Sequence, residues 1–441
     1  MKKFVLVALL PALFGALFPG CKEKDGGNEA ITLRVLNYFD GNAANASEER
    51  ARVWEVFAEA NPDIRIIRED LFNEAFHDRV AAYVEAGDLP EVIYAWPSGR
   101  SAVLHDRRLL KDLGPFIARE GLADLNAPAA LDPDAQGAGY LAILPQAVTS
   151  SHAFYINNAV LRDAGLTPAK TYGELKAQVP RLRAKGYETL LMANKDSWVM
   201  QSCLFSLVAG RFGGDGWERR ILSGEDRFTG EDFVRALGFI KTLYDDGVLS
   251  KKTLATDYDA VVDQFATNQG AYYIDGDWRI GAFITNKSTR EALIPPSRQG
   301  TDIQIAVFPD IEGARLNRSS SVILGTGWGI SAAVPPGSPT EEAAWRLVKW
   351  LSGKEVQGWL LAAGGLTSPT RLDIETAASR LEPLQRAGIK LASQYTTGTV
   401  VIDGVFSQEV SASINEGLRA IGLGTKTPEQ VAAEAQAALS R

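Results

Sequence analysis

Aromatic and polar side chains stand side by side at five places along this sequence of 441 residues, each where a strand or turn pattern ends. Tyr38-Phe39-Asp40 closes the first β-rich run. Trp96 closes VIYAW with Ser98 and Arg100 close behind, and Trp198 sits in ANKDSWVMQ ahead of an apolar helix. Asp275 and Asp277 lead into Trp278 in YIDGDW, and Trp328 lies inside GTGWG. Rings on loops stack on flat C–H faces, while carboxylates, amides and guanidinium groups bond a fringe of hydroxyls, most strongly when charged. The chemistry that suits this combination is non-covalent capture of a polyhydroxylated ligand, with carbohydrate the leading class.

Catalytic sets are harder to assemble. His77, His105 and His152 are the only histidines, and none lies in an HExxH pattern or beside a cysteine. The run Gly325 to Gly329 is only superficially like a dinucleotide loop, because Ile330 stands where the sixth-place glycine belongs. LDPDAQG (131–137) has oxygen-rich spacing but no closing glutamate, so a turn fits better than a calcium loop. Asp275 and Asp277 form a carboxylate pair on paper, which keeps an exported carbohydrate-active enzyme as the rival reading. The expectation is a binder, not an enzyme, with no cofactor and no bound metal.

The elements that must position these loops alternate. ITLRVLNYF (31–39) has the two-residue period of a strand. A helix follows to Ala60, with Ser47 as its expected N-cap and Val53, Trp54, Val56 and Phe57 on one face. IRIIRED (64–70) is the next strand. Thr171 with Glu174, Ser352 with Glu355, and Thr427 with Gln430 have capping-box spacing. Strand-then-helix alternation over this length predicts an α/β protein of two or more units, with helices covering mainly parallel sheets. Trp54, Trp345, Trp350 and Trp359 sit at amphipathic helical spacing and read as core.

With 54 acidic against 46 basic side chains the formal charge is −8, and no lysine- or arginine-rich run appears, which argues against a nucleic-acid partner. Lys2 and Lys3 precede an apolar run from Phe4 to Phe18, shorter than a comfortable membrane span and closed by Gly20-Cys21. This start resembles a bacterial lipoprotein signal peptide. The resemblance implies removal of residues 1–20, acylation of Cys21, and a tether over 21–30. Phe18 and Pro19 stand where the pattern carries smaller residues, so secretion without a lipid is the alternative. A disulfide between Cys21 and Cys203, the only two cysteines, would join a tether to an apolar helix and is not expected.

From Ile31 onward the chain resembles the family 1 extracellular solute-binding proteins, the maltose and multiple-sugar type of bacterial ABC importers. WEVFAEANPDIRI (54–66), GDLPEVIYA (87–95) and FYINNAVLRDAGL (154–166) resemble successive family segments. So do FATNQGAYYIDGDW (265–278), GWGISAAVPPGSPTEEAAWRLVKWLSGKEVQ (327–357) and TKTPEQVAAEAQAAL (425–439), in the family's order. The resemblance implies a periplasmic-binding-protein-like α/β fold, in which two lobes joined by a hinge of about three strands hold the ligand in the cleft between them. The expected lobes are 31–145 plus 306–340 and 146–305 plus 341–441. Trp278 matches a tryptophan that commonly stacks on sugar in this family, and the region of Trp96 one where sugar contacts gather. Trp198, Trp328, Tyr38, Asp40, Asn73, Glu74, Gln146 and Asp277 complete the expected contacts, with Phe406 and Glu409 from a segment that sometimes adds another. The implied partners are a carbohydrate, a pair of membrane permease subunits and, through Cys21, the lipid of the membrane's outer face, for a protein expected to act as a monomer. Other solutes taken by relatives (sugar phosphates, polyamines, iron) are the alternative ligands; only Arg100 and Arg279 stand where a phosphate would need them.

Overall fold

A computed structural model describes residues 30–440 apart from 42–44, 98, 322, 376–380 and 395–399. The expected signal segment, the tether with Cys21, and Ser98 lie outside the described residues.

The chain makes its first sheet from β1 (Ile31–Tyr38), β2 (Ile64–Leu71), β3 (Val92–Ala95) and β4 (Leu144–Pro145). It then passes through β5 (Ala147–Thr149) into a second sheet of β6 (Ala153–Asn157), β7 (Glu188–Leu191), β8 (Gly270–Asp275) and β9 (Ile303–Ala306). β10 (Ile323–Leu324) leads back, β11 (Gly327–Ile330) rejoins the first sheet, and β12 (Ser368–Pro369) marks a third crossing. The first sheet has the order β2-β1-β3-β11-β4 and the second β7-β8-β6-β9. β1 runs parallel to β2 in unbroken register from Ile31–Ile64 to Tyr38–Leu71. Its alternation splits the core: Leu33 and Val35 face Trp54 and Trp345, while Leu36 faces Phe76 and Ile93 on the other side.

The three crossings meet. β10 and β12 both pair antiparallel with β5, at Leu324–Val148 and Ser368–Val148, and form a small sheet of their own between the two lobes. Short strands that share hydrogen bonds but little core can twist together, which is what a hinge requires. The expected hinge of three strands is this sheet.

Two boundaries need correction. The stretch after Ala306 stays with the second lobe: Phe308 and Ile311 lie in its core, and the buried Arg211 guanidinium donates to the carbonyls of Phe308 (2.8 Å) and Pro309 (2.6 Å). The helix Pro339–Leu351, expected in the second lobe, packs on β1 and β11 of the first. Its Trp345 is 0% exposed, stacks on Phe116 and donates its indole N–H to Glu120. Helical periodicity says which face is buried but not against which sheet, so the sequence misplaced this helix. The third crossing therefore falls after Ala363, at β12.

Local signals fared unevenly. Thr427 and Gln430 form the reciprocal capping box, and the Thr171 hydroxyl accepts from the Glu174 N–H at 3.2 Å. Ser352 does not cap: Gly353 holds that position, and the Ser352 hydroxyl donates to the Leu144 carbonyl at 2.7 Å. The helix at 46–60 begins at Ala46, which puts Ser47 inside its first turn. Among the described residues no helix is long and apolar enough to cross a membrane.

Candidate ligand-binding site

The ends of the strands and the helices that follow them leave a cavity of about 390 Å³ between the lobes, within the size range of enclosed small-molecule sites. The first lobe contributes Asn73, Glu74 and His77 from the start of the helix Glu74–Ala86, and Gly99 and Arg100 from the turn after β3. The second lobe contributes Lys195 to Trp198 and the turn carrying Asp403 and Phe406. It also supplies one face of the helix Gln408–Leu423, with Gln408, Ser411, Ala412, Asn415 and Glu416 at helical spacing.

Direct contacts close the lobes around this space. Arg100 Nε donates to Asp403 Oδ2 at 3.1 Å and its other arm reaches Glu74 at 3.2 Å. Ser202 holds the same Asp403 oxygen at 3.0 Å. The turn at Gly99 presses on the turn at Asp403 so tightly that a Cβ on Gly99 would lie 1.8 Å from the Asp403 carbonyl oxygen. Farther out, the Ser288 hydroxyl donates to Glu48 at 3.0 Å across the lobes.

Burial sets the charge states. Burial, aided by Arg100, pulls the His77 imidazole down to about 3, so it is neutral. Burial pulls on the Arg100 guanidinium too, but Asp403 and Glu74 outweigh it and hold the group more firmly protonated than usual. Three buried polar atoms on the cavity wall, His77 Nε2, Ser411 Oγ and Asn415 Oδ1, have no hydrogen-bond partner within the protein. Such atoms cost about 1–3 kcal/mol each unless something else satisfies them.

Of the residues singled out from sequence, Trp198, Asn73, Glu74, Arg100 and Phe406 line the cavity. Asn73 holds φ at 53°, a conformation asparagine tolerates better than most, and accepts from the Tyr38 hydroxyl at 3.2 Å. Tyr38 and Trp96 stand one layer behind: Trp96 meets the His77 ring at 4.8 Å between centroids and the Tyr38 ring edge-on at 4.9 Å. Trp278 likewise backs Trp198, with ring centroids 6.4 Å apart and its indole N–H on the Tyr258 hydroxyl at 2.8 Å.

Others belong elsewhere. Trp328 is 3% exposed and sealed in the first lobe between Trp54 and Tyr94, because β11 is an inner strand of its sheet. Gln146 sits at the first crossing, bonded to Leu351, Thr326 and Thr370, and serves the hinge. Asp277 is 0% exposed and accepts from the Ser150 N–H at 3.0 Å. Burial raises its carboxyl to about 7, against the pull of that bond. Asp275 is equally buried, accepting from Tyr273 and from the Gly276 N–H. The carboxylate pair therefore opens on no cleft, as a glycosidase pair must. Arg279 is spent on Tyr273, Tyr258 and Asp275. Asp40 lies past β1 off the cavity wall, and Glu409 points outward one residue from Gln408. Sequence reasoning missed His77, Asp403, Lys195, Asp196 and the Ser411–Asn415 face; a polar stripe on a helix reads as a solvated surface until its neighbour is known.

The family profile described as Bacterial extracellular solute-binding protein matches residues 41–358. The chain belongs to this family. Among solved structures, it is similar to one from work on xylan utilization by Caldanaerobius polysaccharolyticus, at 21% identity and a TM-score of 0.81, covering 92% of this chain and 99% of that one. A chitin oligosaccharide binding protein follows at 20% identity and 0.78, covering 93% and 98%. A maltose-bound T. maritima protein matches at 18% and 0.72, covering 93% and 99%. At these identities the likeness is one of fold: two lobes about a hinge. No curated protein is significantly similar in sequence. Three of the chain's unmet buried polar atoms line the cleft between the lobes, and the small three-stranded sheet joins the lobes that form it.

Proposed function

We propose that this protein is the capture subunit of a bacterial ABC sugar importer, closing its lobes on a carbohydrate in the interlobe cavity and handing it to a membrane permease pair. The observation that carries this reading is the cavity wall itself. Trp198 offers aromatic surface, and Ser411, Asn415 and His77 present buried polar atoms that the protein leaves unmet. A ligand with apolar faces and a fringe of hydroxyls satisfies both. Closure follows from differential contact: a ligand touching both lobes favours the closed form by the contacts it lacks in the open one. The carboxylates at Asp275 and Asp277 serve structure, and the protein performs no catalysis. It works as an exported monomer held to the membrane by lipid on Cys21.

A thermal-shift panel of mono- to tetrasaccharides tests the reading, since a ligand that binds only the folded state raises its melting point. At least one carbohydrate is expected to do so; a flat response across the panel overturns it. Fractionation of cells carrying Cys21→Ser tests the anchor separately. The variant is expected in the soluble exported fraction, and its retention at the membrane argues against lipidation.

A further inference from the structure

Three buried polar atoms of the cavity wall are unmet within the protein: His77 Nε2, Ser411 Oγ and Asn415 Oδ1. Asn415 Oδ1 is an acceptor and nothing else, and Ser411, 8% exposed, has a hydroxyl Oγ that no protein group engages. Two further carboxylates on the same wall are Asp196, which feels the charge of its neighbour Lys195, and Glu416. The cations nearby are already committed. Arg100 lies between Glu74 and Asp403, and Lys195 pairs with Asp257 at 2.5 Å. His77 adds no charge, since its burial keeps the ring neutral. The wall therefore carries four carboxylates (Glu74, Asp196, Asp403, Glu416) against two cations (Arg100, Lys195).

A neutral hydroxyl donates one hydrogen bond and accepts two, and it brings no charge to set against the wall's excess of carboxylate. A primary ammonium donates three and accepts none, and its charge offsets the excess of carboxylate. Ser411, Asn415 and Glu416 line the cavity from neighbouring turns of one helix, and Asp196 lines it from the segment before Trp198. We infer that the ligand is a carbohydrate bearing a free primary amine, with the ammonium seated among Asn415, Glu416 and Asp196 and the sugar face against Trp198. This rests on the carbohydrate reading above and narrows it to the amino-sugar class.

Calorimetry at pH 6.5 with β-1,4-linked glucosamine dimers and trimers, their N-acetylated counterparts, neutral glucose oligomers and spermidine decides it. The free amines are expected to bind at least ~10-fold more tightly than the N-acetylated and neutral sugars. Glu416→Gln and Asp196→Asn, on exposed or half-exposed side chains, are each expected to cut that preference ~3- to 10-fold with unchanged melting points. Neutral or acetylated sugars binding as tightly as the amines overturn the inference and leave the carbohydrate reading intact. Spermidine binding while every sugar fails overturns both, and so does failure of all four ligand types. A preference for amines that both variants retain places the ammonium elsewhere and overturns the assignment to this wall.

Discussion

Gly99→Ala is a sharp test of how the cleft closes. In the closed form the added Cβ would lie 1.8 Å from the Asp403 carbonyl oxygen, 2.5 Å from Gly404 Cα and 2.6 Å from the Asp403 carbonyl carbon. All three are backbone atoms, so no side chain can swing aside. The gap must widen by at least 1.2 Å to reach the 3.0 Å below which Cβ contacts essentially do not occur. The two turns belong to different lobes, so opening at the hinge is the least costly relief. Overpacking of this kind costs about 1–3 kcal/mol when nothing yields. The Arg100–Asp403 bond at 3.1 Å is stretched as well; its partners are 22% and 12% exposed, which places it between a surface and a buried pair, at about 1 kcal/mol. With each 1.4 kcal/mol worth a factor of ten, the combined ~2–4 kcal/mol lowers the population of the closed form roughly 30- to 700-fold, and the apparent affinity falls in proportion. Small-angle scattering should show a larger radius of gyration for the variant, with and without ligand, and a melting point near that of the parent. A variant that scatters like the parent and binds as well would refute the clasp. A melting point lowered by many degrees would do the same, because the clash would then be absorbed within a lobe.

Other expectations follow from single side chains. Trp198→Ala should weaken ligand binding by about 1–2 kcal/mol, whereas Trp278→Ala, one ring behind, should lower the melting point more than the affinity; the reverse order in calorimetry and thermal melts would misplace the wall. Trp345→Ala, emptying a fully buried site in the first lobe, should cost about 3–5 kcal/mol in denaturant unfolding, and a cost below ~1 kcal/mol would contradict its place between sheet and helix. Asp277 is held protonated by burial up to about 7, while in the unfolded chain it ionises near 3.8. Between those pH values the folded state binds the extra proton, so this group's contribution falls as pH rises and is gone above about 7. Asp277→Asn should remove that slope: the stability difference between parent and variant, measured in urea from pH 4 to 8, should drift by a few kcal/mol in favour of the variant, and a pH-independent difference refutes the assignment.

Much of the fold was legible because the signals that carried it are local. The two-residue period of 31–39 and the capping box at Thr427 each need only their neighbours, and each appears where expected. What failed needed knowledge of the partner. The face of 339–351 is apolar whichever sheet it covers, and Ser352 has cap spacing whether or not a nearer carbonyl, that of Leu144, takes its hydroxyl.

The site was half legible for a related reason. Loop tryptophans are visible in sequence, but stacking on a ligand and stacking on another ring use the same surface, so Trp198 on the wall cannot be told from Trp278 behind it or Trp328 in the core. The polar contribution was hidden for the opposite reason. Ser411, Asn415 and Glu416 have the spacing of a solvated helix face, and their meaning changes only because the turn at Gly99 and the start of the helix at Glu74 come down opposite them. The cleft is thus specified jointly by segments more than three hundred residues apart. That coupling explains the glycine at position 99. The three atoms nearest to a Cβ there all belong to the backbone of the opposite lobe, so it is the closed union of the lobes that demands glycine.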